Sequence, residues 1–269
     1  MNYEVKELEI GGILDYTIRL YKDNFKFILT VVGTVIIPIS VIWAVIQTAM
    51  MPNISPEAYA GLAQEEMTEL MSSQLTGSLL TFVGVLITLV DNSVAQGALV
   101  HGMAHRFLGR DMSPSDSIRV GFRNLPRLIG ASILMGLGIM GGSLLCIIPG
   151  IYLALAWYVV IPVLIFEGQP VGSIFGRSMK LMKGQMGKAF VLAFLLGIIG
   201  IAAAVFAQLV PGRYPSAILS SVINALLMGL NSVAVLVLYF SARCKAENFD
   251  VELLTQAVEG PGEEQGTIL

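Results

Sequence analysis

Long apolar runs alternate along this chain with short polar segments that carry most of its basic residues. A membrane span needs about 20 mainly apolar residues at a rise of about 1.5 Å each. On that measure residues 25–50 form a first span, free of charge after Lys26, and residues 78–105 a second. Residues 128–148 and 150–166 read as spans three and four, joined by a tight hairpin at Pro149-Gly150. Residues 189–210, closed by Pro211-Gly212, make the fifth, and residues 215–242 the sixth. Pro38 and Pro162 are expected to kink spans one and four. The predicted fold is all-α, a polytopic membrane bundle of six transmembrane helices forming one domain over residues 1–258. Residues 259–269, rich in Gly and Glu, read as a disordered tail.

Composition agrees with lipid as the main solvent. Of the 269 residues, 55% are hydrophobic and 13% charged, against roughly 25% charged in soluble domains. Cys146 and Cys244 are too few for a disulfide framework and are expected to be reduced thiols. The opening residues mix acids, bases and apolar side chains, unlike a cleavable signal peptide.

Charge placement orients the spans. Lys6, Arg19, Lys22 and Lys26 precede span one, and Arg106, Arg110, Arg119, Arg123 and Arg127 lie between spans two and three. Arg177, Lys180, Lys183 and Lys188 lie between four and five, with Arg243 and Lys245 after six. Every lysine and arginine except Arg213 therefore falls on one side, which the positive-inside rule assigns to the cytoplasm. Both termini are expected there, in a bacterial cytoplasmic membrane. The opposite loop, residues 51–77, carries Glu57, Glu65, Glu66 and Glu69 without a base. Ser55-Pro56-Glu57 should start a helix there, running to about Ser72 as an acidic cap.

The three basic segments resemble one another. Ile18-Arg19-Leu20-Tyr21-Lys22-Asp23-Asn24-Phe25, Ile118-Arg119-Val120-Gly121-Phe122-Arg123-Asn124-Leu125 and Met179-Lys180-Leu181-Met182-Lys183-Gly184-Gln185-Met186 each alternate apolar and basic positions before an amide at the membrane edge. Each reads as an amphipathic interfacial elbow helix that meets anionic lipid headgroups and leads into a hairpin of two spans. The bundle is thus expected to be three repeats of elbow plus hairpin. Leu14, Ile18 and Tyr21 form the apolar face of the first elbow, and Ser113-Pro114 caps the second. Headgroup-contact candidates are Arg19, Lys22, Arg119, Arg123, Arg177, Lys180 and Lys183.

Pro149-Gly150-Ile151-Tyr152, Trp157, Pro162-Val163, Glu167-Gly168, Arg177-Ser178, Leu181 and Lys183-Gly184 form a recognisable set. With Ile13-Leu14-Asp15-Tyr16, Tyr21-Lys22-Asp23-Asn24-Phe25, Tyr239, Arg243, Glu247 and Asp250, they resemble a membrane-domain family associated with glycerophosphoryl diester phosphodiesterases. The resemblance implies a six-span bundle of largely unassigned activity, without the phosphodiesterase domain, for which this chain has no room. Ser241 stands where that family often has an acid, which puts any pairing of such an acid with Arg243 in doubt.

Ionisable groups inside spans are functional candidates by default. Asp91 lies roughly 20 Å into span two by helical rise, followed by Asn92, Ser93 and Gln96. Asn224 and Asn231 share a face of span six, and Asn231 is expected beside Asp91 in the interior. Asp91, Asn92, Gln96, Asn224 and Asn231 either line a solute or proton path or bond helices together. Glycines 130, 136, 138, 141 and 142 of span three, with Ala193, Gly197 and Gly200 of span five, read as sites of close helix approach. His101 and His105 have the spacing of a helical metal pair but no third ligand, and read as solvated interfacial histidines. Glu167 and Arg177 read as a structural ion pair. No catalytic constellation, metal site, cofactor-binding motif or nucleic-acid patch is evident. The leading expectation is a non-catalytic scaffold or accessory module with lipid and unknown protein partners. The alternative is a transporter of small or lipid-related solutes through the Asp91 and Asn231 region.

Overall fold

The computed structural model describes residues 6–50 and 64–247, except for the side chains of 64–74 and 76. The start of the expected outer helix and the tail lie outside the described residues. The chain is an all-α polytopic bundle, with six helical stretches among the described residues long and apolar enough to cross a membrane. These are α2 (Phe25–Met50), the Gly77–Phe107 part of α3 (Gln64–Phe107), α5 (Leu125–Leu145), α6 (Ile147–Ala156) with α7 (Val160–Glu167), α9 (Met186–Gln208) and α10 (Arg213–Glu247). Residues 64–72 do not form a separate cap. They are helical and run unbroken into the second span.

Short helices α1 (Ile10–Asp23), α4 (Pro114–Arg123) and α8 (Val171–Met182) lie ahead of α2, α5 and α9. Ser113 caps α4, its Oγ accepting the Asp116 N–H at 3.2 Å, with Pro114 in the first turn. Asn24 and Asn124 build the bends into α2 and α5 identically. Each Nδ2 donates to a carbonyl four residues back, Leu20 and Val120, at 3.0 Å. The carbonyls of Asn24, Asn124 and Gln185 then accept the N–H groups of Ile28, Leu128 and Ala189 as the spans begin. Thr17, Ser117 and Ser178, seven residues before those three amides, are all buried. So are Ile28, Leu128 and Ala189, and then Val31, Ala131 and Leu192.

The buried face of α1 differs from the expected one. Ile13, Thr17 and Leu20 pack inward, whereas Ile18 is exposed and Leu14 and Tyr21 are half-buried. A helix lying between protein and lipid has two apolar surfaces, so amphipathicity alone does not identify the packed one.

The hairpin turn between the third and fourth spans is at Cys146, in extended conformation, and not at Pro149-Gly150. Pro149 sits in the first turn of α6, where its missing N–H would have had no helical partner. Gly150 instead lets α6 lie against Gly142 and Ser143 of α5.

Of the expected glycines, Gly138 and Gly142 make close contacts, and the others do not. A side chain at Gly130, Gly136, Gly141, Gly197 or Gly200 would meet nothing within 4 Å. Close approaches are made by Gly121 on the α3 backbone at Val94, by Gly97 and Gly102 of α3, by Gly138 under Trp157, and by Gly229 on Ile28. In lipid such packing, not transfer from water, holds helices together. The buried apolar residues of α2 run from Phe27 to Ile36, those of α3 from Val94 to Phe107, and those of α10 mainly from Val233 to Cys244. These stretches all lie in the half of the bundle next to α1, α4 and α8.

Candidate functional site

In the other half the helices enclose a partly open cavity of about 740 Å³. Four regular stripes line it. On α2 the stripe is Ile36, Ser40, Trp43 and Gln47; on α3 it is Ile87, Thr88, Asp91 and Asn92. On α9 it is Ala193, Gly197 and Gly200, and on α10 Ser221, Asn224, Met228 and Asn231. The three- and four-residue spacing within each stripe is that of a single helical face. The small residues of α9 therefore provide space for the cavity, which is why nothing packs on Gly197 or Gly200.

Asp91 and Asn231 both line the cavity, at similar distances from the ends of their helices. Each stands about sixteen residues, or roughly 24 Å, before the end of its helix, Phe107 and Glu247 respectively. Asp91 is only 7% exposed, yet its carboxylate has no hydrogen bond or ion pair with any described residue. Among the described residues it links no two helices by a hydrogen bond. Asn231 Oδ1 accepts the Tyr158 hydroxyl at 3.3 Å, bringing a third polar group to the cavity. Asn92 and Asn224 also line the cavity, whereas Gln96 lies half-buried outside it.

Tyr158 is supplied by a break in the fourth span. Between α6 and α7 the Val160 N–H turns to the Trp157 carbonyl at 3.1 Å instead of reaching Ala156. The freed Ala156 carbonyl accepts the buried Ser178 hydroxyl of α8 at 2.9 Å. Pro162, four residues after Tyr158, has no N–H to donate to the Tyr158 carbonyl. Such irregular backbone at membrane depth is tolerated where it is satisfied by protein or lines a cavity. At Pro38, by contrast, α2 continues as one helix.

No family model, curated protein or solved structure matches the chain. The site is therefore read from its own geometry.

The basic candidates divide into two groups. Arg19, Lys22, Arg119, Arg123, Lys180 and Lys183 are exposed on α1, α4 and α8 or at their ends, with Arg19 paired to Asp15 at 3.0 Å. Arg177 is committed to protein. Its Nε donates to Glu167 at 2.6 Å, so the two residues of the expected ion pair are together, and its other arm reaches Glu247. Burial opposes the Arg177 charge, but hydrogen bonds to both carboxylates outweigh it and raise the guanidinium above its usual value. Glu247 also binds Arg243 at 3.1 Å, and the Tyr239 hydroxyl donates to Glu167 at 3.3 Å. This network clamps α7 and α8 to the end of α10. Ser241 does different work from an acid: its Oγ accepts the Leu8 N–H at 2.9 Å, tying the N-terminal segment to α10.

The rings of His101 and His105 lie tilted with centroids 4.8 Å apart, but they are half-buried instead of solvated, and His101 Nδ1 has no partner among the described residues. Among the described residues no His, Cys, Asp and Glu side chains gather in a group of three or more.

Trp43, Gln47, Tyr158 and Ser221 line the cavity without having stood out in the sequence. A signal existed for Tyr158, which stands four residues before a mid-span proline. Trp43 and Gln47, one helical turn apart, are unremarkable until the neighbouring helices are in place.

Proposed function

We propose that this chain binds a small solute within the membrane at the Asp91–Asn231 cavity and carries it across. The observation that carries this reading is a buried residue, Asp91, whose carboxyl group faces a cavity of about 740 Å³ without a partner among the described residues. Retaining an uncompensated acid at such depth is costly, and a ligand supplies the compensation. The volume is in the range of small-molecule sites, which run from about 300 to 1,000 Å³. The broken fourth span beside the site adds support, since discontinuous helices at midplane sites recur in transporters.

The test compares wild type with Gly200→Trp, which fills the cavity from a position with free space around it. Both chains are purified from membranes, and the small molecules retained by each are extracted and analysed by mass spectrometry. A species held by wild type and lost from the folded variant supports the reading. Identical extracts from two equally folded proteins would overturn it.

The same reading includes a cytoplasmic location for both termini and a threefold repeat of elbow helix and hairpin. The repeat is supported by the matching buried positions and by the two matching Asn bends. A second reading, that of a headgroup-binding scaffold, is favoured by the exposed bases of the short helices. It predicts salt-sensitive enrichment of anionic lipid, lost when Arg119, Arg123, Lys180 and Lys183 become Gln. Unchanged lipid content would count against it.

A further inference from the structure

The chemistry of the cavity points to one ligand class. We infer that the cavity takes an organic monocation with an apolar body, exchanged one for one against a proton on Asp91. This inference rests on the solute-binding reading above and specifies it.

Charge comes first. Among the described residues lining the cavity there is one carboxyl group and no lysine, arginine or histidine. An anionic solute would meet no compensating charge and one like charge. A cation meets Asp91, with the Asn92 and Asn231 amides and the Tyr158 hydroxyl beside it. Tyr158 adds an aromatic surface of the kind that attracts organic cations.

Size and lining decide between inorganic and organic cations. A bare metal ion requires a shell of about six or more oxygens at short distance, as hard cations do in protein sites. Here a single carboxyl group stands at the end of a space more than twenty times the roughly 30 Å³ of one water molecule. Away from Asp91 the walls are largely Ile36, Ala44, Ile87, Leu196, Leu227 and Met228, which suit a hydrocarbon body. The cation head belongs beside Asp91 and the body towards Trp43.

Proton exchange follows from burial. A carboxylate away from water is stable only when paired; otherwise it takes up a proton. The arriving cation therefore replaces that proton: the O–H bond of Asp91 breaks, the proton leaves to water, and the carboxylate pairs with the cation. Charge in the cavity is the same before and after. The α2, α9 and α10 walls contribute no titratable group, and the broken span contributes only Tyr158. On α3 itself the nearest titratable group beyond Asp91 is His101, nearly three turns further along. One proton per cation is thus the expected stoichiometry.

The test uses two ions of matched shape and opposite charge, tetraphenylphosphonium and tetraphenylborate. Binding to the full chain in phosphatidylcholine nanodiscs is measured by calorimetry, with empty discs subtracted. Tetraphenylphosphonium should bind at least tenfold more tightly than tetraphenylborate. Its affinity should fall about tenfold per pH unit below the point at which Asp91 takes up its proton, as single-proton linkage requires. Below that same point, about one proton should be released per ion bound in weakly buffered solution. Asp91→Asn should remove the pH slope and weaken binding at least tenfold. Gly200→Leu should weaken binding several-fold and keep the slope. The wild-type slope and proton count need no variant, so they test the inference even where Asp91→Asn misfolds. Equal binding of the two ions, tighter binding of the borate, no binding of either, or binding below that point without proton release overturns the inference. If Gly200→Leu still weakens such unselective binding, solute binding at the cavity stands and only the ligand class falls. If neither ion binds, the extraction comparison decides the solute reading separately.

Discussion

The two halves of the bundle are built on opposite terms. Next to α1, α4 and α8, the core of α2, α3 and α10 is almost continuously buried, with glycines that admit neighbouring backbones. Towards Met50 and Gln208 the spans expose Ile42, Phe82, Leu144 and Phe206, and α2, α3, α9 and α10 line the cavity. In the closed half Gly97, Gly102 and Gly121 admit close neighbours, whereas at the cavity Gly197 and Gly200 of α9 leave space. Gly121 and Gly200 look alike in sequence, yet only Gly121 has backbone atoms where a side chain would go. A bundle closed at one end and hollow at the other keeps a polar site inside lipid without losing its fold, because the closed half supplies the stability.

The strongest challenge to this contrast is a pair of glycine substitutions. Gly121→Leu should drive a side chain into the Val94 carbonyl and destabilise the protein by roughly 3 kcal/mol or more. Gly200→Leu, with nothing within 4 Å, should stay within about 0.5 kcal/mol. Reversible unfolding in mixed micelles measures both, and similar losses would erase the distinction between the halves.

Next in size is the clamp on α10. Arg177→Ala strands the carboxylates of Glu167 and Glu247 and should cost roughly 2 kcal/mol, less than a fully buried pair because some solvent reaches it. Double-mutant cycles with Glu167→Gln should return part of that loss. Strict additivity would mean that the pair is not coupled.

Ser241→Ala removes the acceptor of the Leu8 N–H and should cost about 1 kcal/mol. Faster hydrogen exchange at Leu8, with α10 otherwise protected, would be its local signature.

The smallest effect is a pH dependence at the same attachment. The hydrogen bond from Lys245, opposed by slight burial and aided by Lys188, lowers the Glu7 carboxyl below its usual 4.5. A lowered value in the folded state means that the unfolded chain takes up the proton first. The contribution is therefore present above the unfolded value and is lost as pH falls through the lower, folded one. Glu7→Gln should flatten that acid-side loss slightly, and added salt should shrink the difference, since the carboxylate is exposed. Melting curves across the acid range report it.

Particular residues explain how much was legible beforehand. Asp91 and Asn231 stood out because a polar side chain in an apolar run is costly enough to need a reason, and both line the cavity. Asn24 and Asn124 were visible as amides at matching places, although their role as bends needed the backbone. The hairpin turn was misplaced because a proline in the first turn of a helix and a proline in a loop look the same in sequence. The elbow face was misassigned for a similar reason, since lipid and protein both accept Ile18. Tyr158 and Trp43 gave little warning, because aromatic residues are ordinary in spans.

The sequence by itself determined the number of spans and the residues that had to be accounted for inside them. Those follow from the cost of unpaired polar groups in lipid, which is local and readable one segment at a time. Only the tertiary structure decided which glycines make contact and which make room, and where Arg177 finds its carboxylates. It also decided that Asp91 faces a cavity instead of a neighbouring helix. Those outcomes depend on which helix lies opposite, and hydropathy along a single chain carries no record of the opposing surface.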